Sequence, residues 1–431
     1  MTVDNARFAT RAVHAARTRD TAAARATPIY LTAGFEFDDF DHAADHFGTG
    51  AGFGYTRTGN PTVHAVERQL AALESGADAV LVASGQAAVV TALLTVAGAG
   101  DHIVSSTHIY EGSRGLFLDN LARLGIETTF VDDIADPDAW RCAIRPNTRA
   151  LFAESIANAR NDILDIATVS AVADESAIPL IVDNTLATPY LLRPLEHGAA
   201  IVVHSASKFL AGHGSVLGGV IVDSGRFDAE AAGHNAPHLV LPGRGGTPSV
   251  AARHGGKARI AYARESVAPR FGASPSPLNA FLIGQGVETL GLRVERQSRN
   301  AQAVAEWLAA HPDVESVDYA GLPSHPDHAT ASRYLEGGFG SIFTFTLRGG
   351  LPAARAFVEN VGVFIHMTHI GDVRSLVLHP ATTSHAQRTD EERSALGIDP
   401  GTLRLSIGIE DIDDLIGDLS RVLQSTREVV A

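Results

Sequence analysis

A chain of 431 residues, 45% hydrophobic and 19% charged, is long enough for more than one packed core and too apolar to be disordered. A net charge of -15 with no basic stripe excludes general nucleic-acid binding, and the chain has no run of about 18 apolar residues to span a membrane. The single cysteine, Cys142, permits no intrachain disulfide, and Met1 to Asp20 carries Arg7, Arg11, Arg17 and Arg19 without an apolar signal core, so a reducing cytoplasm is expected.

Residues 1–60 read as an irregular arm. Thr27-Pro28, Gly48, Gly50, Gly52, Gly54 and Gly59-Asn60-Pro61 are turn or extended signals, and such an arm packs on a neighbour rather than folding alone. From Thr62 a period sets in. Val63, Val66, Leu70 and Leu73 share a helix face, and Glu74-Ser75-Gly76 closes the helix. Residues 79–82 then read as a buried strand, Ser84-Gly85-Gln86 as a turn and 87–96 as a helix. Further strands are predicted at 102–105, 127–131, 150–153, 180–182, 201–203 and 220–222, with helices between most of them. Such alternation implies an α/β fold with a mostly parallel sheet covered on both faces.

Residues 225–277, with Gly243-Arg244-Gly245-Gly246-Thr247-Pro248, look loop-like and read as a junction. One long helix is predicted over 278–310. Strands at 314–318, 342–347, 376–378 and 403–406 mix with helices at 353–361 and 412–423, giving a smaller α+β unit. The expected division is an arm 1–60, a large domain 61–270 and a C-terminal domain 271–431.

Several stretches carry chemistry. Lys208 lies at the end of an apolar strand within Ser205-Ala206-Ser207-Lys208-Phe209, followed by Gly212, Gly214, Gly218 and Gly219. A lysine so placed can form a Schiff base while the hydroxyls bind a phosphate; the plainer reading is a surface lysine in a loop. Asp183 ends the strand before it, where ligands of parallel sheets bind. It can pair with the ring nitrogen of a pyridine cofactor or cap the next helix. Ser84-Gly85-Gln86 opens a helix whose N–H groups suit a phosphate, although any strand-to-helix turn can hold glycine. Tyr110 offers an aromatic face to a ring, or simple packing. Arg404 sits in the apolar stretch Leu403-Arg404-Leu405-Ser406, where it needs either a substrate carboxylate or a structural ion pair. Tyr55-Thr56-Arg57 stands in the glycine-rich arm and can equally be a solvated loop.

Together and in this order these stretches resemble the Cys/Met-metabolism family of pyridoxal-phosphate enzymes. The likeness runs through Tyr55-Thr56-Arg57 with Asn60-Pro61-Thr62, Ser84-Gly85-Gln86-Ala87-Ala88, Asp183-Asn184-Thr185 with Ala187-Thr188-Pro189-Tyr190, and Ser205 to Lys208. It continues through Gly212-His213-Gly214, His379-Pro380-Ala381-Thr382-Thr383 and Arg404-Leu405-Ser406. Phe37 to Ala44, Gly218 to Asp223 and Gly321-Leu322-Pro323-Ser324-His325-Pro326 are similar to its O-acetylhomoserine sulfhydrylase branch.

The resemblance implies the pyridoxal-phosphate transferase fold type I, with a mostly parallel seven-stranded sheet and a smaller C-terminal α+β domain. It implies pyridoxal 5'-phosphate bound covalently to Lys208, which would also shuttle protons. Asp183 would pair with the ring nitrogen, Tyr110 would stack on the ring and assist the leaving group, and Ser84, Gly85, Gln86, Ser205 and Ser207 would hold the phosphate. Asn158, in Glu154-Ser155-Ile156-Ala157-Asn158, would contact the cofactor. Arg404, His369 and Ser375 would face the substrate. Tyr55 and Arg57 would reach a neighbour's cofactor in a homotetramer built as a dimer of dimers. The implied reaction is γ-replacement on an O-activated homoserine, O-acetylhomoserine first, by sulfide or another thiol. A γ-elimination lyase of the methionine or cystathionine type, or a cystathionine γ-synthase using O-succinylhomoserine, stands as the alternative. A non-catalytic scaffold would need neither Lys208 nor Asp183. The chain departs from the family at Ala159, usually proline, at Glu111, usually glycine, at His369, usually Asn or Ser, and over Gly243 to Gly256, which lacks a Tyr-His-Gly stretch.

Overall fold

The computed structural model describes residues 6–16, 23–158 and 160–430; Ala159, Arg17 and Arg19 lie outside them. Seven strands form the main sheet: β1 (Asp78–Val82), β2 (His102–Ser106), β3 (Glu127–Val131), β4 (Thr148–Glu154), β5 (Leu180–Asp183), β6 (Ile201–Ser205) and β7 (Gly219–Asp223). Their order is β1-β7-β6-β5-β4-β2-β3. Only β7 runs against its neighbours; the other pairings are parallel.

Alternate side chains of each strand enter different cores. Leu81, Val182 and Val202 join Val66, Leu70 and Ile283 on one side. Val80, Ile181 and Ile221 join Leu93, Ile103 and Phe152 on the other. Burial on both faces is why the strands read as continuous apolar runs, each large aliphatic contributing about 1.5–3 kcal/mol.

The helices are set by their caps. Asn60 accepts from Thr62 N–H at 3.0 Å and Pro61 opens the helix Pro61–Leu73. Ser84 accepts from Ala87 N–H at 3.2 Å and starts the helix Gly85–Val96, two residues earlier than the apolar period indicates.

A second sheet holds β8 (Val314–Asp318), β9 (Ile342–Leu347), β10 (Ile365–His366), β11 (Leu376–Leu378) and β12 (Thr402–Ser406) in the order β10-β11-β12-β9-β8. Its core gathers Phe343, Phe345, Phe357, Leu405 and Leu419.

Several expectations change. The arm is not wholly irregular: it holds the helices Phe8–His14 and Phe40–Thr49, the second capped by Asp39 and burying none of its residues although Phe40, Ala43, Ala44 and Phe47 fall at helical spacing. Residues 225–277 form a run of short helices rather than loop. The long helix is two, Pro277–Glu288 and Leu290–Ala309, meeting at Thr289. Strand β10 is short and exposed and was not anticipated.

Candidate active site

The carboxyl ends of the parallel strands converge on one cavity of about 1210 Å³. Ser84 follows β1, Tyr110 follows β2, and Glu154, Asp183 and Ser205 end β4, β5 and β6. Lys208 enters from the turn after β6, with its amide donating to Ser205 O at 3.2 Å and its carbonyl accepting from Gly212 N–H at 2.7 Å.

At one end the backbone comes very close. A Cβ on Gly85 would lie 2.6 Å from Ser205 Cβ and 2.9 Å from Ser205 Cα. Glycine therefore lets the start of the helix Gly85–Val96 sit against the end of β6, with free N–H groups at its first turn. The Gln86 side chain is engaged by Gly112, donating to its carbonyl at 2.9 Å, while Gln86 also lines the cavity. Ser207 Oγ accepts from Gly218 N–H at 3.0 Å and fixes the glycine-rich return to β7.

Two carboxyl groups lie side by side. Glu154 and Asp183 are register partners on β4 and β5. Glu154 accepts from the amides of Tyr110 at 2.6 Å and Asn158 at 3.2 Å, yet burial, and then Asp183, push it up to about 8. Burial also raises Asp183, against the hydroxyl and amide of Thr185, which both donate to Oδ1. A cationic ring nitrogen beside Asp183 would relieve exactly that destabilisation of the anion's charge.

Lys208 is pushed down to about 8 by burial and then by Arg404. Arg404 on β12 is only 4% exposed. Its guanidinium donates to Asn158 Oδ1 at 3.3 Å and to Thr368 O at 3.0 Å, and burial brings it down to about 10. Among the described residues it has no carboxylate partner. A buried cation held by neutral acceptors alone is half a binding site.

Residues 9–424 match the family described as Cys/Met metabolism PLP-dependent enzyme. The chain belongs to that family. The O-acetyl-L-homoserine sulfhydrylase of Corynebacterium glutamicum is 44% identical over 426 residues, covering 96% of this chain and 95% of that one. The homocysteine synthase of Schizosaccharomyces pombe is 41% identical over 428 residues, covering 98% and 100%. A crystal structure of a Campylobacter jejuni protein named as an O-acetylhomoserine (thiol)-lyase superposes with a TM-score of 0.93 at 35% identity, covering 97% and 100%, and carries N'-pyridoxyl-lysine-5'-monophosphate.

The donor set of this pyridoxal-phosphate enzyme fits its cofactor: one cavity presents a lysine amine, a strand-end carboxylate and a helix N-terminus flanked by hydroxyls. Ser84, Gly85, Gln86, Tyr110, Asn158, Asp183, Ser205, Ser207, Lys208, His369 and Arg404 all line it. Tyr55 and Arg57, expected at a neighbour's site, do not line it, and neither does Ser375. Tyr55 is exposed and Arg57 donates to Pro269 O at 2.9 Å, with its guanidinium 5.5 Å from the Tyr55 ring centre. Ser375 is a correction: it is fully buried away from the cavity, where its hydroxyl donates to Glu410 at 2.9 Å and accepts from Gly408 N–H at 2.9 Å. It braces the turn leading out of β12.

Sequence reasoning missed Glu154 as a residue of the cavity and also missed the partner of Glu111. Arg388 bonds the Glu111 carboxylate through Nε at 2.7 Å and Nη2 at 2.5 Å, and His385 stands 3.7 Å from the same oxygen. The unusual Glu111 next to Tyr110 was the available signal, but its partner is 277 residues away.

Proposed function

We propose that the chain catalyses γ-replacement on an O-activated homoserine, O-acetylhomoserine first, with sulfide or another thiol-type nucleophile, giving homocysteine or a methionine-type product. The observation that carries this reading is Arg404, a buried guanidinium with no carboxylate partner among the described residues, which shares one cavity with the lysine amine. The names of relatives aligned over nearly the whole chain supply the substrate class.

Bound here, pyridoxal phosphate would supply an electron sink for negative charge developing at the amino-bearing carbon and at its neighbour. The amides of Gly85 and Gln86, at the turn capped by Ser84, with Ser205 and Ser207, would hold its phosphate. Asp183 would hold its ring nitrogen protonated, and Tyr110 and Asn158 would flank the ring. Arg404 binds the substrate carboxylate through its planar fork and so orients the amino-bearing carbon toward Lys208. Lys208, already lowered toward neutrality by burial, takes a proton from Cα and then one from the neighbouring carbon, so that the γ-substituent can leave, and returns protons to both once the nucleophile has added. Tyr110 stands where it can assist departure of the γ-substituent.

The arm around Tyr55 and Arg57 completes the partner's site in a homotetramer of shared-site pairs, and the enzyme works in the cytoplasm. Exposure of Tyr55 and the exposed single thiol Cys142 support these two readings. Among the described residues no helix is long and apolar enough to cross a membrane.

The test offers O-acetylhomoserine, O-succinylhomoserine and cystathionine in parallel, with and without sulfide. Homocysteine from O-acetylhomoserine only when sulfide is present is the expected result. A keto acid and ammonia at the same rate without sulfide would make the enzyme a lyase and overturn the proposal.

A further inference from the structure

Lys208 Nζ lies 3.1 Å from Nδ1 of His369, on the segment between β10 and β11. Among the described residues the ring has no second anchor: Nε2 is buried without a hydrogen-bond partner. A histidine held from behind by a carboxylate or carbonyl is oriented independently of what it faces. His369 is oriented by Lys208 alone among the described residues.

Its charged surroundings are lopsided. Lys208, Arg404 from β12 and Arg374 from its own segment face it as cations, with Asp372 opposing them. Asp183 and Glu154 line the same cavity. Burial, then Lys208, hold the imidazole down at about 4. The ring is neutral near pH 7, so the nitrogen facing Lys208 is the acceptor and the proton resides on Nε2.

We infer that His369 is a positioning residue for Lys208: its Nδ1 aims the free amine and stabilises the amine's protonated form while the lysine carries a proton between substrate carbons. This rests on the function proposed above and changes the expected role of His369 from substrate contact to lysine partner. The physical reason is that a neutral acceptor binds an ammonium more strongly than an amine. Without the acceptor, Lys208 releases its proton more readily. Asparagine can place an acceptor oxygen near the position of Nδ1; leucine fills similar space without one.

The test uses the whole chain, stripped of cofactor and mixed with pyridoxal phosphate at a series of pH values. Covalent capture joins Lys208 Nζ to the aldehyde carbon as C=N and releases one water, giving a visible absorbance band. Capture needs the unprotonated amine, so its rate rises with pH through the lysine midpoint, and the ligand's own titration is common to all variants. His369→Leu should move that midpoint down by about one pH unit, making capture about tenfold faster on the acid side, while His369→Asn should stay near wild type. An unmoved or raised midpoint in His369→Leu overturns the inference, and so does an asparagine variant that behaves like leucine. The final band height reports whether each variant is folded and loaded. No amino-acid substrate or sulfide takes part, so failure here is distinct from failure of the proposed reaction.

Discussion

Arg404 shows how much one side chain can decide. Its neutral partners, Asn158 and the Thr368 carbonyl, leave the guanidinium charge uncompensated inside the protein. Arg404→Lys should raise KM for amino-acid substrates by about tenfold or more while the cofactor band persists, because a point charge cannot copy the bidentate fork. Steady-state kinetics at saturating cofactor check this, and an unchanged KM would make Arg404 structural. Lys208→Ala should abolish turnover and the visible band while circular dichroism stays native. Both residues were legible because a lysine at a strand end among hydroxyls and an arginine inside an apolar strand each violate the surrounding pattern. Glu154 broke no pattern, since its burial depends on which strand lies beside β4. Ser375 was expected at the substrate from the resemblance alone. Sequence spacing does not say which way a side chain points, and its hydroxyl turns toward Glu410.

Among the elements, the junction between the helix Gly85–Val96 and β6 sets the phosphate end of the cavity. Gly85→Ala puts a methyl group 2.9 Å from Ser205 Cα, a backbone atom that cannot rotate away. The helix start must shift, and affinity for pyridoxal phosphate should fall by about tenfold or more, as measured by equilibrium dialysis. Across the cavity, Glu111 and Arg388 tie the helix after Tyr110 to the segment after β11. Arg388→Ala leaves the Glu111 carboxylate near the incoming substrate with only His385, 3.7 Å away, beside it. KM should rise by about three- to tenfold, and adding Glu111→Gln should reverse the rise. The strands were readable because burial on both faces makes them apolar runs. Strand β10 was not, since it is two exposed residues long; the helix Phe40–Thr49 carries Phe40, Ala43, Ala44 and Phe47 on one face, and the surrounding glycines hid that period.

For the whole molecule, the question is where Tyr55 and Arg57 act, since they do not line their own chain's cavity. Mixing Lys208→Ala with Arg57→Ala subunits under conditions of exchange should restore about a quarter of wild-type activity, because half the pairs are mixed and each mixed pair has one intact site. No recovery despite proven exchange would place Arg57 outside the chemistry. Composition could forecast an arm that needs a neighbour, because residues 48–61 are crowded with glycine and turn signals. It could not say which surface receives the arm, because that depends on the geometry of a second chain.

The uncompensated guanidinium of Arg404 has one more consequence, for the handling of the enzyme and for its response to its own leaving group. A buried cation awaiting a carboxylate does not discriminate strongly among small carboxylates. Acetate, the leaving group from O-acetylhomoserine, should therefore act as a product inhibitor competitive with the amino acid. In acetate or formate buffers the melting temperature should climb with anion concentration, as for any ligand that binds only the folded state. Chloride at equal ionic strength should do less, and Arg404→Met should erase the difference.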